Sequence, residues 1–152
     1  GTGLDEFLTK GGEMQKKWDR VETCDGRNIM TGMVAHPYMP SSGESGPAFV
    51  QIQGCELNDG KTMADVMVAD KKWSTYMQAS EMPGGVLRWL PFAGDARDST
   101  TDLYSVYVTE TLADRGKAHD MMMKGGGSVL QGTYGDVMTC DTPRIYQSMP
   151  VM

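Results

Sequence analysis

A tripeptide that occurs twice constrains this chain more than any other feature. Thr23-Cys24-Asp25 returns as Thr139-Cys140-Asp141, 116 residues further on. At the same offset Val21 falls on Val137, Gln15 on Gln131, Met14 on Leu130, Ile29 on Ile145 and Met33 on Met149. One residue of slack brings Gly11-Gly12 onto Gly126-Gly127 and Phe7-Leu8 onto Met122-Met123. Self-similarity at a fixed spacing marks two copies of one structural unit. The second copy begins near Ala48, so the first is expected to be cut short, with 1–36 as its closing helix and strand. The chain thus reads as the C-terminal part of a longer tandem protein.

Periodicity supplies the elements. Leu4, Phe7, Leu8, Met14 and Trp18 recur at helical spacing and predict an amphipathic helix over 3–20. A strand is predicted over 27–36, ended by Pro37, and the Pro-, Ser- and Gly-rich stretch 37–47 reads as the linker between copies. Residues 48–152 then carry a complete set: a strand over 48–55, a helix over 62–80, strands over 86–92 and 102–110, a helix over 112–134 broken around Gly125-Gly126-Gly127, and a strand over 144–151. Thr62-Met63-Ala64-Asp65 is a capping box with an acid at its end, and Val66, Ala69, Trp73, Tyr76 and Met77 form the buried stripe of the helix it opens. Strand, helix, strand, strand, helix, strand is the ferredoxin-like order, of class α+β. Right-handed crossovers place its four strands antiparallel in the order 4-1-3-2, with both helices on one face. The other face would be bare, yet Phe49, Trp89 or tyrosines fall on it in either registration. An apolar sheet face has to be covered, which predicts a homodimer packed sheet to sheet.

The run from Cys55-Glu56-Leu57-Asn58-Asp59-Gly60 to Lys61-Thr62-Met63-Ala64-Asp65, with Gly126-Gly127 and Thr139-Cys140-Asp141, resembles the dimeric α+β barrel superfamily. More narrowly it resembles uncharacterised tandem-repeat members from marine bacteria. The resemblance implies the barrel fold for 48–152, with 1–36 as the end of the preceding unit, and carries no known activity. In the wider class, it implies that enzymes hold small aromatic or polyketide-like substrates between sheet and helices. Some related members bind haem through a helix histidine, which singles out His119. The repeat counterpart of His119 is Leu4, which favours a core or boundary position, and no cofactor is expected.

The three cysteines fit the repeat. Cys55 ends the first strand of the full unit and Cys140 lies just before the fourth. In the order 4-1-3-2 these strands are antiparallel neighbours, so a Cys55–Cys140 disulfide is within reach. Cys24 is the repeat equivalent of Cys140, its partner belonging to the truncated part. A bridge implies an oxidising compartment, periplasmic or extracellular. Two buried free thiols in a cytoplasmic protein are the competing reading. No Cys-x-x-Cys is present, and His36 and His119 are not at ligand spacing from each other or from a cysteine, so no metal is expected.

A net charge of −6 argues against a nucleic-acid surface, and no apolar run nears the roughly 18 residues of a membrane span. The 14 methionines, three of them consecutive at 121–123, read as core filling, since the run spreads over different helix faces. Nucleophile-elbow, phosphate-loop and H-E-x-x-H templates are absent, and Asp95, Asp98 and Asp102 lack calcium-loop spacing.

The strongest cleft signal is Gln51 and Gln53, which share a strand face with Phe49; amides on a face that should be buried need partners or line a polar cavity. Arg88 and Trp89 point to opposite faces, as do Tyr104 and Tyr107, three residues apart on one strand. The leading expectation is a binding or interaction protein holding a small, partly apolar ligand between sheets, lined by Gln51, Gln53, Trp89 and Tyr104 or Tyr107. The alternatives are a small cofactorless monooxygenase or isomerase using His119 or Arg88, and a purely structural oligomerisation module.

Overall fold

The computed structural model describes residues 29–40, 46–93 and 99–149. The helix expected over 3–20, Cys24 and part of the linker lie outside the described residues. The chain is α+β. Its strands are β1 (Ile29–His36), β2 (Ala48–Leu57), β3 (Gly85–Ala93), β4 (Leu103–Thr109), β5 (Met138–Cys140) and β6 (Arg144–Ser148). Its helices are α1 (Met63–Ala79), α2 (Leu112–Met121) and α3 (Gly127–Tyr134), the last two joined by a π-helical turn over Met122–Gly126.

All six strands form one antiparallel sheet in the order β1-β3-β4-β2-β5, and β6 pairs with β2 beyond β5. Apart from β1, that arrangement is compatible with a ferredoxin-like fold. β1 extends the same sheet, pairing with β3 from Ile29↔Ala93 to His36↔Val86. The final strand is split. β5 runs beside the end of β2 (Cys55↔Cys140, Leu57↔Met138), and β6 runs beside its beginning (Ala48↔Ser148, Ile52↔Arg144). The three-residue β5 had no periodic signal of its own.

α1 starts where its sequence says it should. The Asp65 carboxylate accepts from the Thr62 backbone N–H at 2.9 Å and from the Thr62 hydroxyl at 2.8 Å. Those bonds, the hydroxyl's first, hold the Asp65 carboxyl below its ordinary value. Val66, Ala69, Trp73 and Met77 are buried as the stripe requires, and Asp70 is buried among them. They pack with Cys55, Val86, Leu103 and Tyr134 in the main core, between the helices and one sheet face. At the other end of the unit the long helix breaks within the expected glycines. Gly125 adopts φ 121°, which suits a residue without Cβ, and a Cβ on Gly126 would lie 3.1 Å from the Tyr76 hydroxyl. The break lets α3 approach α1 closely.

The opposite sheet face carries a second apolar cluster, with Val106 and Val108 buried and Ile52, Leu87, Trp89 and Tyr104 half-buried around them.

Candidate functional site

Strand alternation decides which side chains meet the helices. Cross-strand register sets Arg88 (β3) beside Ser105 (β4), and Ser105 beside Gln53 (β2). One step along, Val86 lies beside Tyr107, and Tyr107 beside Gln51. These two rows form the floor of a cavity of about 420 Å³ roofed by α1, α2, the π turn and α3. The apolar part of its wall comes from Trp73, Met82, Val86, Met122, Leu130 and Met138. Its polar groups are Gln51, Gln53, Ser105, Arg115, His119 and Gln131, with Arg88 and Tyr107 from the sheet and Tyr134 from α3.

Of the residues expected at a ligand cavity, Gln51, Gln53 and Tyr107 are brought together, and Arg88 and His119 join them. Trp89 and Tyr104 are not among them. They face each other across β3 and β4 one residue out of phase with Arg88 and Ser105, so they lie in the cluster on the far side of the sheet. The cavity accordingly lies between sheet and helices, not on the face where a second sheet would pack.

Arg88 is tied down. Its Nη2 and Nε donate to Asp70 Oδ1 at 2.6 and 3.1 Å, its Nη1 donates to the Ser105 hydroxyl, and its guanidinium lies 5.2 Å from the Tyr134 ring centroid. The Tyr134 hydroxyl donates to the same Asp70 oxygen at 2.7 Å. Arg88 is 2 % and Asp70 7 % exposed, so this is a buried ion pair with its hydrogen-bonding capacity largely used. Burial, the largest cause, pushes the Tyr134 phenol far above its ordinary value, with the Asp70 charge adding to it. Tyr134 is therefore a neutral donor, and Arg88 is a cation held in a buried ion pair.

The glutamines are oriented by a relay. Gln53 Nε2 donates to the Asp141 backbone carbonyl at 2.9 Å, which can only accept. Gln53 Oε1 is thereby left to accept from Gln51 Nε2 at 3.1 Å. Gln51 Oε1 has no protein donor among the described residues, so the relay ends in an acceptor on a cavity-lining side chain. Asp141 also accepts from the Gly54 N–H at 2.9 Å and from Arg144 at 3.0 Å, which anchors the far end.

The third group is Tyr107 with Arg115. The Tyr107 hydroxyl donates to the Pro83 carbonyl, and Arg115 lies 4.8 Å from its ring centroid. Burial pushes the Tyr107 phenol up to about 12, against the opposing pull of the Arg115 charge. His119, exposed on α2, lines the rim with no hydrogen-bonded carboxylate among the described residues. The expected Cys55–Cys140 disulfide is present and closes one side of the cavity.

No protein-family model matches the chain, and no curated protein matches it significantly. Among the described residues, no cluster of three or more His, Cys, Asp or Glu could hold a metal ion, and no helix is long and apolar enough to cross a membrane.

Asp70, Arg115 and Tyr134 were missed by sequence reading. Asp70 had a usable signal: an acid at i+4 from Val66 and one residue from Ala69, inside an apolar stripe, calls for a buried cation. Arg115 had none, because a basic residue early in a helix is ordinarily solvated.

Proposed function

We propose that the chain is a small-molecule binding protein whose site is the cavity between the sheet and its helices. The observation that carries this is the cavity's make-up: walls apolar over most of their area with polar side chains set among them, on a sheet tied to its helices by the Asp70–Arg88–Tyr134 network. That composition is the usual one for a small-molecule site, and about 420 Å³ lies toward the small end of the roughly 300–1,000 Å³ range. Binding is favoured over catalysis because His119 has no hydrogen-bonded carboxylate among the described residues and Arg88 is committed to Asp70. An oxidising compartment, periplasmic or extracellular, is proposed with it, supported by the disulfide.

The test uses N-phenyl-1-naphthylamine, a neutral dye that brightens in apolar surroundings. The wild type should bind it, and Leu130→Trp, which fills the cavity from α3, should weaken binding about tenfold while leaving the circular dichroism spectrum unchanged. A dye that fails to bind, or that binds both proteins equally, would overturn the proposal.

A further inference from the structure

Two guanidinium groups line the cavity, and they are in opposite situations. Arg88 is neutralised by Asp70 at 2.6 Å. Arg115 is half-buried, and among the described residues no carboxylate pairs with it. The carboxylate next to it in sequence, Asp114, makes no ion pair with it: Asp114 accepts from the Thr111 hydroxyl at 2.7 Å, as part of the cap that opens α2, and its charge acts on Tyr107. What Arg115 has is the face of Tyr107, at 4.8 Å.

That contact uses none of the guanidinium's five N–H donors, which lie in the plane of the group. Burial lowers the proton affinity of Arg115, so the protein bears a cost for keeping this cation partly dry. A planar fork of donors, held against a ring and facing a largely apolar cavity, matches the geometry of a carboxylate.

We infer that Arg115 recognises the carboxylate of the bound molecule, and that the ligand class is a small monocarboxylate with a flat apolar body. The inference rests on the binding reading above and specifies its ligand. One cation without a carboxylate partner among the described residues suits one negative charge, whereas a phosphate dianion would call for more. The net charge of −6 gives anions no general attraction to the chain, so selectivity for a carboxylate has to come from this local group. The flat body follows from the walls: Trp73 offers a ring, and Met82, Met122 and Met138 offer polarizable sulfur that packs well against aromatic edges. The volume of about 420 Å³ restricts the body to one or two rings.

The experiment compares 2-naphthoate with 2-naphthamide, which share a shape and differ in charge, by calorimetric titration of the full chain. The wild type should bind the acid at least about tenfold more tightly than the amide, the effect expected of a charge-assisted bidentate contact. R115Q should bring the acid down to the level of the amide, and R115K should recover part of the preference. K117Q, which removes an exposed charge from the same helix, should keep the preference in full. Equal affinities in the wild type, a preference that survives R115Q, or an acid that does not bind where the neutral dye does would each overturn the inference. Failure of the neutral dye itself would instead overturn the binding reading beneath it.

Discussion

Replacing Asp70 by Asn keeps the shape and the acceptor oxygen while removing the charge. Tyr134 can still donate to that oxygen, so the change isolates the ion pair. Arg88 is only 2 % exposed and cannot swing into water, so its charge would remain buried with the Ser105 hydroxyl and the Tyr134 ring as company. Removing one partner of a buried pair costs about 3–5 kcal/mol. For a domain whose whole stability is about 5–15 kcal/mol, that is about a fifth or more of the total. At roughly 2–4 °C per kcal/mol for a chain of this size, the melting temperature should fall by about 6–20 °C. The assay is urea unfolding at pH 7 followed by circular dichroism, with unchanged slope taken as the sign that only stability moved. The double variant D70L/R88M removes both charges and fills the space with apolar groups. It should be more stable than D70N and lie within about 2 kcal/mol of the wild type. A loss below about 1 kcal/mol for D70N, or a double variant no better than the single, would refute the account of Arg88 and Asp70 as a coupled buried pair.

Removing the disulfide with C55S/C140S should cost about 4–5 kcal/mol, the loop-closure entropy for a separation of 85 residues, again read from urea midpoints. Thiol alkylation of the unreduced chain followed by intact mass should leave Cys55 and Cys140 unlabelled; labelling of both would remove the bridge. His36, held at 2.8 Å from the Ser74 hydroxyl, has its pKa lowered by burial below the ordinary value of about 6.5. The unfolded chain therefore takes up this proton more readily, so the contribution is full above about pH 6.5 and is lost as pH falls through the folded value. H36Q should flatten the acid side of the stability profile, and an unaltered profile would contradict the assignment. A homodimer packed through the face that bears Trp89 and Tyr104 is expected by sedimentation velocity, with W89S/Y104S shifting it to monomer; a wild-type monomer at micromolar concentration would contradict that packing.

Apart from β5, the elements of 48–148 were legible in the sequence because each carries its own local signal. α1 announces itself through Thr62 and Asp65, and the broken second helix through Gly125-Gly126-Gly127. The site was half legible. Alternation says that Arg88 and Trp89 part company and that Gln51 and Gln53 do not, but it leaves open which set faces the helices. That choice is settled by tertiary packing, here by Asp70 drawing Arg88 inward across 18 positions of sequence. Once Arg88 faces α1, Ser105, Gln53, Tyr107 and Gln51 follow by register, and Trp89 and Tyr104 are turned away. Arg115 stayed hidden for a different reason. Its burial depends on Tyr107 from another strand, and no periodicity within α2 records that neighbour.

A strand of three residues, such as β5, has only a short ladder of its own to hold its alignment. Sliding it one position along β2 would turn each of its side chains to the opposite side of the sheet. The sulfur bridge forbids that slide, because it joins Cys55 to the residue directly opposite, Cys140. The next residue along the chain is Asp141, whose carbonyl starts the amide relay through Gln53 to Gln51. The covalent bond thus works as a gauge block: it sets the position from which the polar end of the cavity is measured.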